Sequence, residues 1–327
     1  MSRKIVTVVG ATGLQGKGAV AAFIDNPAYQ VRAITRNTSS AAAQALAERG
    51  AELVQADLGD LESLKRAFAG SHIVYAVTNF FEPFTALQSP ERATEVEVQQ
   101  GVNLAQAAAS ALPTLEHYIW STLPDARTLS AGKYVVPHFD GKARVDAYIR
   151  TQQPALLAVT TFFWVTWYHN NYVWPVFTPY WIATANAHVQ FANYAPSTPI
   201  TTLGDVTVNI APFVRAIVAQ PAKTARGNVV LGALATHTAD ELLQMWARAR
   251  GTRARFVQVG GEDFRALWPL WGDEMGVMME FWDEFRDKSW TAPAAAAAEH
   301  KYTVLTGDDI GVEGLQGLEE AYKELEL

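Results

Sequence analysis

The chain has 327 residues, 49% hydrophobic and 18% charged, with a formal net charge of −7. This suits one large α/β domain with a smaller lobe and excludes a disordered chain. The acidic balance leaves no basic footprint for nucleic acid, and the absence of cysteine excludes disulfides, thiolate catalysis and Cys-ligated zinc.

In chain order, the first half alternates strand and helix patterns. Residues 5–9 read as a strand, 19–24 as helical, 31–35 as a strand and 39–49 as an Ala-rich helix. Residues 52–56 read as a strand, 61–68 as a helix, 73–77 as a strand and 90–112 as a long helix. Residues 115–120 form the fifth predicted strand, 138–152 a helix and 155–160 the sixth strand. Apolar strands separated by helices predict a doubly wound, Rossmann-type parallel sheet.

Beyond Thr161 the pattern changes, with Trp164, Trp167, Trp174 and Trp181 close together. Helices are predicted over 206–220 and 238–250, and strands over 229–231 and 255–259. Residues 264–285 read as one helical stretch, 293–298 as a linker or helix start, and 315–325 as an amphipathic helix. The division expected is a Rossmann domain over 1–160 and a smaller α+β lobe over 161–327, partly interleaved with the main sheet. The terminal helix is free to dock on its own chain or on a partner, so the oligomeric state stays open.

Residues 1–4 lack a signal-peptide pattern, and the apolar stretch 156–168 is interrupted by three Thr. It is shorter than the ~20 residues of a membrane span, so a cytoplasmic protein with no membrane partner is expected.

Gly10-Ala11-Thr12-Gly13-Leu14-Gln15-Gly16 follows the first strand. In this spacing the first Gly permits a tight turn, the second a close backbone approach to a pyrophosphate, and the third helix–strand packing. Amides at the helix start then face the phosphates. The second strand ends Ile34-Thr35-Arg36-Asn37, without the acid that holds a free ribose 2′-hydroxyl. Arg36 suits a 2′-phosphate, so NADP(H) is the expected cofactor. Asp57 and Leu58 lie where adenine would rest; Asp57 reads equally well as the cap of the helix near Leu61.

The chain resembles the NmrA-like family, an atypical branch of the short-chain dehydrogenase/reductase superfamily. The resemblance rests on residues 9–16, on Thr35-Arg36-Asn37, on Asp57-Leu58 and on His138-Phe139-Asp140-Gly141-Lys142. It implies NADP(H) binding, and either reduction or redox sensing with little turnover.

The superfamily's Ser, Tyr-x-x-x-Lys pattern would place Ser121 or Thr122 at the end of the fifth strand and Lys142 beneath the nicotinamide ribose, with His138 where a Tyr is usual. His138 is then one proposed proton donor; a Lys142-held water is another, and a purely structural His138 is the third reading. Thr78, Asn79 and Phe80 would lie along the nicotinamide, with Phe162 closing the other side. Tyr168 and His169 are reserve proton donors. None of the seven His forms a close ligand pair, so no metal is expected. The expected function is hydride transfer from NADPH to an apolar or aromatic carbonyl, enone or imine. The alternative is a non-catalytic NADP(H) sensor that binds a protein partner.

Overall fold

The computed structural model describes residues 3–294, 297 and 302–325. Eight strands form one parallel sheet: β1 (Lys4–Val8), β2 (Tyr29–Thr35), β3 (Glu52–Gln55), β4 (Ile73–Ala76), β5 (His117–Thr122), β6 (Thr160–Val165), β11 (Val229–Gly232) and β14 (Val304–Leu305). Their order is β14-β11-β6-β5-β4-β1-β2-β3. The chain runs outward from β1 to β3 and then returns to β4 on the other side. This reversal opens a crevice at the carboxyl ends of β1 and β4, where doubly wound sheets bind ligands.

Every residue of β4, β5 and β6 is buried, as a sheet covered on both faces requires. One face packs against helices Leu14–Ala21 and Val206–Ala219. A Cβ on Gly18 would come within 2.5 Å of the Val206 carbonyl oxygen, so the absence of a side chain sets this approach. The other face packs against Leu61–Phe68, Pro90–Ser110 and Pro137–Gln152. There a Cβ on Gly101 would come within 2.5 Å of Val145.

Two small sheets lie outside this core. One joins β7 (Trp167–Tyr168), β10 (Pro199–Gly204) and β12 (Ala235–Thr238); the other joins β8 (Tyr180–Ile182), β9 (Ala187–Ala192) and β13 (Ala254–Gln258).

The sixth strand begins at Thr160, five residues later than the sequence predicts; residues Pro154–Leu157 form a helical turn with Pro at its first position. Proline is pre-organised for that place, while the β-branched and aromatic run from Thr160 to Val165 favours the sheet. The stretch expected as one helix over 264–285 is two, Gly261–Leu267 and Trp271–Phe285. Pro269 removes a backbone donor, and Leu270 takes φ +68. Helix Phe81–Leu87 was not anticipated. The C-terminal helix, Leu318–Glu324, docks on its own chain, with Tyr322 buried 5.8 Å from the Tyr172 ring. Of residues 293–298, positions 295, 296 and 298 lie outside the described residues.

Candidate functional site

A cavity of about 910 Å³ runs from the glycine turn to the aromatic segment. Gly10 has φ +62, and the Gly13 amide donates to its carbonyl at 2.8 Å. A Cβ on Gly16 would come within 2.0 Å of that oxygen. Helix Leu14–Ala21 starts here without a side-chain cap. The first amides of a helix have no intrahelical partner, and Leu14, Gln15 and Gly16 line the cavity with Gly10, Thr12 and Gly13. This cradle fits a dinucleotide pyrophosphate.

Arg36, Asp57 and Leu58 line one end. The Arg36 guanidinium pairs with Glu82, which holds it further toward its charged form. Asp57 accepts from the Gly59 amide at 2.7 Å, while Asp60 caps helix Leu61–Phe68. The capping alternative for Asp57 is therefore corrected: its side chain closes a local turn three residues before the N-cap position.

Beyond β4, Lys142 is buried. Its ammonium donates to Glu97 Oε1 at 2.7 Å, to Thr78 Oγ1 at 2.8 Å and to the Thr78 carbonyl at 3.4 Å. Thr78 Oγ1 in turn donates to Glu97 Oε1 at 2.8 Å. The Asn79 side chain accepts from the Phe81 amide at 3.2 Å, and the Phe80 ring is buried against Phe84.

Gln15 ties three strands together. Its Oε1 accepts from Tyr75 and from Ser121, each at 2.7 Å, and its Nε2 donates to the Tyr168 hydroxyl at 2.5 Å. Burial pushes the Tyr168 phenol up to about 12, with the Gln15 bond opposing. Tyr168 thus stays neutral, with its own proton left to donate. The Thr122 hydroxyl is committed elsewhere, donating to Asp146 at 2.8 Å.

His138 opens helix Pro137–Gln152. Its Nδ1 meets Glu274 Oε1 at 2.5 Å, and its backbone amide donates to the same oxygen at 3.2 Å. Glu274 comes from Trp271–Phe285 and is fully buried. The imidazole packs between Phe80, Phe81 and Phe139. His138 lines the cavity, and its hydrogen bonds among the described residues run through the backbone amide and Nδ1, none through Nε2.

The far end is walled by Phe81, Trp174, Trp271, Met275, Met278 and Trp282. Phe162 does not join it. It lies inside β6, wholly buried, with the Arg150 guanidinium 4.1 Å from its ring. The later start of β6 removes it from the strand end, so its assignment as a cofactor contact is corrected. His169 also turns away, its Nδ1 at 3.2 Å from the Gly204 carbonyl. Ser121, His138, Lys142 and Tyr168 all line the cavity.

Three acids escaped the sequence reading: Glu82, Glu97 and Glu274. Two left a signal. Glu97 shares an i, i+4 row with Ala93, Gly101 and Ala105, a small-residue face suited to close helix packing. Glu274 falls on the apolar stripe of Trp271, Met275, Met278 and Trp282. Glu82 left none; it reads as an ordinary surface acid.

The profile of the NmrA-like family matches residues 2–307. The chain is 29% identical over 262 residues to the NmrA-like family domain-containing oxidoreductase hkm9 of Aspergillus hancockii, covering 77% of this chain and 74% of that protein. It is 37% identical over 143 residues to himF of Aspergillus japonicus, a similarly described oxidoreductase, but spans only 41% of that protein. Among solved structures it is similar to Nmra, a negative transcriptional regulator crystallised in complex with NADP, at 22% identity and a TM-score of 0.72 over 99% of this chain and 96% of that one. Its glycine turn, its β1–β4 crevice and the family match over residues 2–307 agree: the chain belongs to the NmrA-like family.

Proposed function

We propose that the protein is an NADP(H)-dependent oxidoreductase that reduces a flat apolar or aromatic carbonyl, enone or imine. The observation that carries this reading is the continuity of one cavity, from the Gly10–Gly16 turn to the wall of Phe81, Trp271 and Trp282. Such walls suit planar apolar ligands. The relative hkm9 is described as an oxidoreductase, and Nmra was crystallised with NADP.

The amides of Leu14, Gln15 and Gly16 hold the pyrophosphate, and Arg36 holds the 2′-phosphate. Asp57 and Leu58 flank the adenine. Thr78, Asn79 and Phe80 line the nicotinamide side. A reduced nicotinamide supplies the hydride when bound. His138 then donates from Nε2 the proton that completes the reduced product, and Glu274, bonded to Nδ1, fixes the ring's orientation. Lys142 has two donors committed to Glu97 and to the Thr78 hydroxyl, so it reaches a ribose only by releasing the longer 3.4 Å contact to the Thr78 carbonyl.

One observation favours the alternative of a non-catalytic NADP(H) sensor with a protein partner. Arg36 and Lys142 are each already paired with a carboxylate, and His138 Nδ1 is bonded to a third. Oxidation of NADPH across aromatic ketones, quinones and cyclic imines separates the two. Turnover of any class supports the reductase; NADPH binding with no turnover of any supports the sensor.

A further inference from the structure

Arg36 and Glu82 meet across the mouth of the cleft. Arg36 follows β2, and Glu82 lies in the first turn of helix Phe81–Leu87. Among the described residues neither has a second ion-pair partner. Both side chains remain largely exposed, at 64% and 51%, and both line the cavity. Asp57, on the same cavity, adds further negative potential at the guanidinium. Arg36, the cation proposed for the 2′-phosphate, therefore faces two carboxylates and is bonded to one of them.

A phosphate monoester carries about −1.5 to −2 charges at neutral pH. It cannot share the guanidinium with Glu82 at hydrogen-bond range without bringing like charges together. Its higher charge and three oxygens favour it over a single carboxylate. An unphosphorylated dinucleotide places no anion there and leaves the pair intact.

Resting on the dinucleotide reading above, we propose that Glu82 is an internal competitor of the 2′-phosphate, and that it sets the preference between phosphorylated and unphosphorylated dinucleotides by occupying Arg36. The pair lowers affinity for the phosphorylated form without touching the other. Helix Phe81–Leu87 keeps its place when the pair opens, because Phe84 is buried and Phe81 stacks on Trp271 at 5.8 Å. The exchange is therefore confined to two exposed side chains.

The test is calorimetric titration of the full chain, as wild type, Glu82→Gln, Arg36→Gln and the double variant, with NADP+, NAD+ and 2′,5′-ADP. The last probe carries the 2′-phosphate without nicotinamide, so turnover plays no part. Glu82→Gln is expected to tighten NADP+ and 2′,5′-ADP about three- to tenfold, an exposed pair's contribution plus the removed repulsion. NAD+ affinity should change less than about twofold, and the gain should shrink near 0.5 M salt, where the Debye length is only about 4–5 Å. The double variant should lose the gain. Weaker NADP+ binding by Glu82→Gln would make Glu82 a support for Arg36 and overturn the proposal, as would equal shifts for NADP+ and NAD+. Wild-type protein that binds neither dinucleotide would instead overturn the reading of the cleft itself.

Discussion

His138 and Glu274 lie 136 residues apart in sequence, yet Nδ1 and Oε1 meet at 2.5 Å in a buried pair. The helix that carries Glu274 also carries Trp271, Met275, Met278 and Trp282 of the cavity wall. The same contact therefore orients the proposed proton donor and fastens the aromatic cavity wall to the half that carries the glycine turn.

Removing the imidazole should separate binding from chemistry. His138→Gln is expected to lower turnover by about 10²- to 10⁴-fold, the usual worth of a general acid, with NADPH affinity nearly unchanged. Glu274→Gln should lower it less, by about 10- to 100-fold, because the ring keeps its place but loses the carboxylate that orients it through Nδ1. Steady-state kinetics with a parallel NADPH titration measures both. Unchanged turnover in both variants would remove the dyad from the mechanism.

Lys142 and Glu97 form a second buried pair, with the Glu97 side chain wholly buried. Lys142→Ala leaves that carboxylate without its cation and should cost about 3–5 kcal/mol of stability. Loss of activity in that variant would therefore report partial unfolding as much as catalysis. The double variant Lys142→Met, Glu97→Leu should recover most of the loss, since apolar replacements remove both charges together. Urea unfolding followed by tryptophan fluorescence compares the three proteins.

At the glycine turn, Gly16→Ala places a Cβ 2.0 Å from the Gly10 oxygen, which is backbone and cannot rotate away. The turn must shift, displacing the amides proposed for the pyrophosphate. A loss of NADPH affinity of at least about tenfold is expected, comparable to losing one charge-assisted hydrogen bond. Titration by NADPH fluorescence reads this directly.

Asp146 gives a stability prediction with a definite sign. Burial pushes its carboxyl up to about 7 from the ordinary 3.8, against hydrogen bonds from Thr122 and Trp120 and the charges of Arg150 and Lys142. The folded chain holds this proton where the unfolded chain has released it. The carboxyl's contribution is thus fully favourable below about 4, is lost as pH rises through 7, and stays constant above. Trp120 Nε1 and Thr122 Oγ1 both donate to the same oxygen, Oδ1, at 2.7 and 2.8 Å, so an amide can keep both bonds. Asp146→Asn should therefore be more stable than wild type at pH 8 by a few kcal/mol, with the difference vanishing near pH 4. Thermal unfolding at the two pH values checks this.

Much of the nucleotide half is legible because its determinants are local. The turn at Gly10, Gly13 and Gly16 is specified by backbone geometry within seven residues, and the parallel sheet by continuous apolar runs. Arg36 is legible for a related reason: its proposed role follows from its position at the end of one strand. Strand β6 was misplaced because the apolar run from Leu156 to Val165 lacks a periodicity that separates a helical turn from a buried strand; that shift moved Phe162 from the proposed cofactor side into the core.

By itself, then, the sequence determined the Rossmann sheet, the tight glycine turn and the candidates Ser121, His138, Lys142 and Tyr168. The tertiary structure alone decided what each is bonded to. Glu82 reaches Arg36 from 46 residues away, Glu97 reaches Lys142 from 45, and Gln15 joins Ser121 to Tyr168 across 106 and 153. A buried charge such as that of Lys142 is tolerable only beside its counter-charge, and which acid arrives is set by how distant helices pack rather than by any residue's neighbours in the chain.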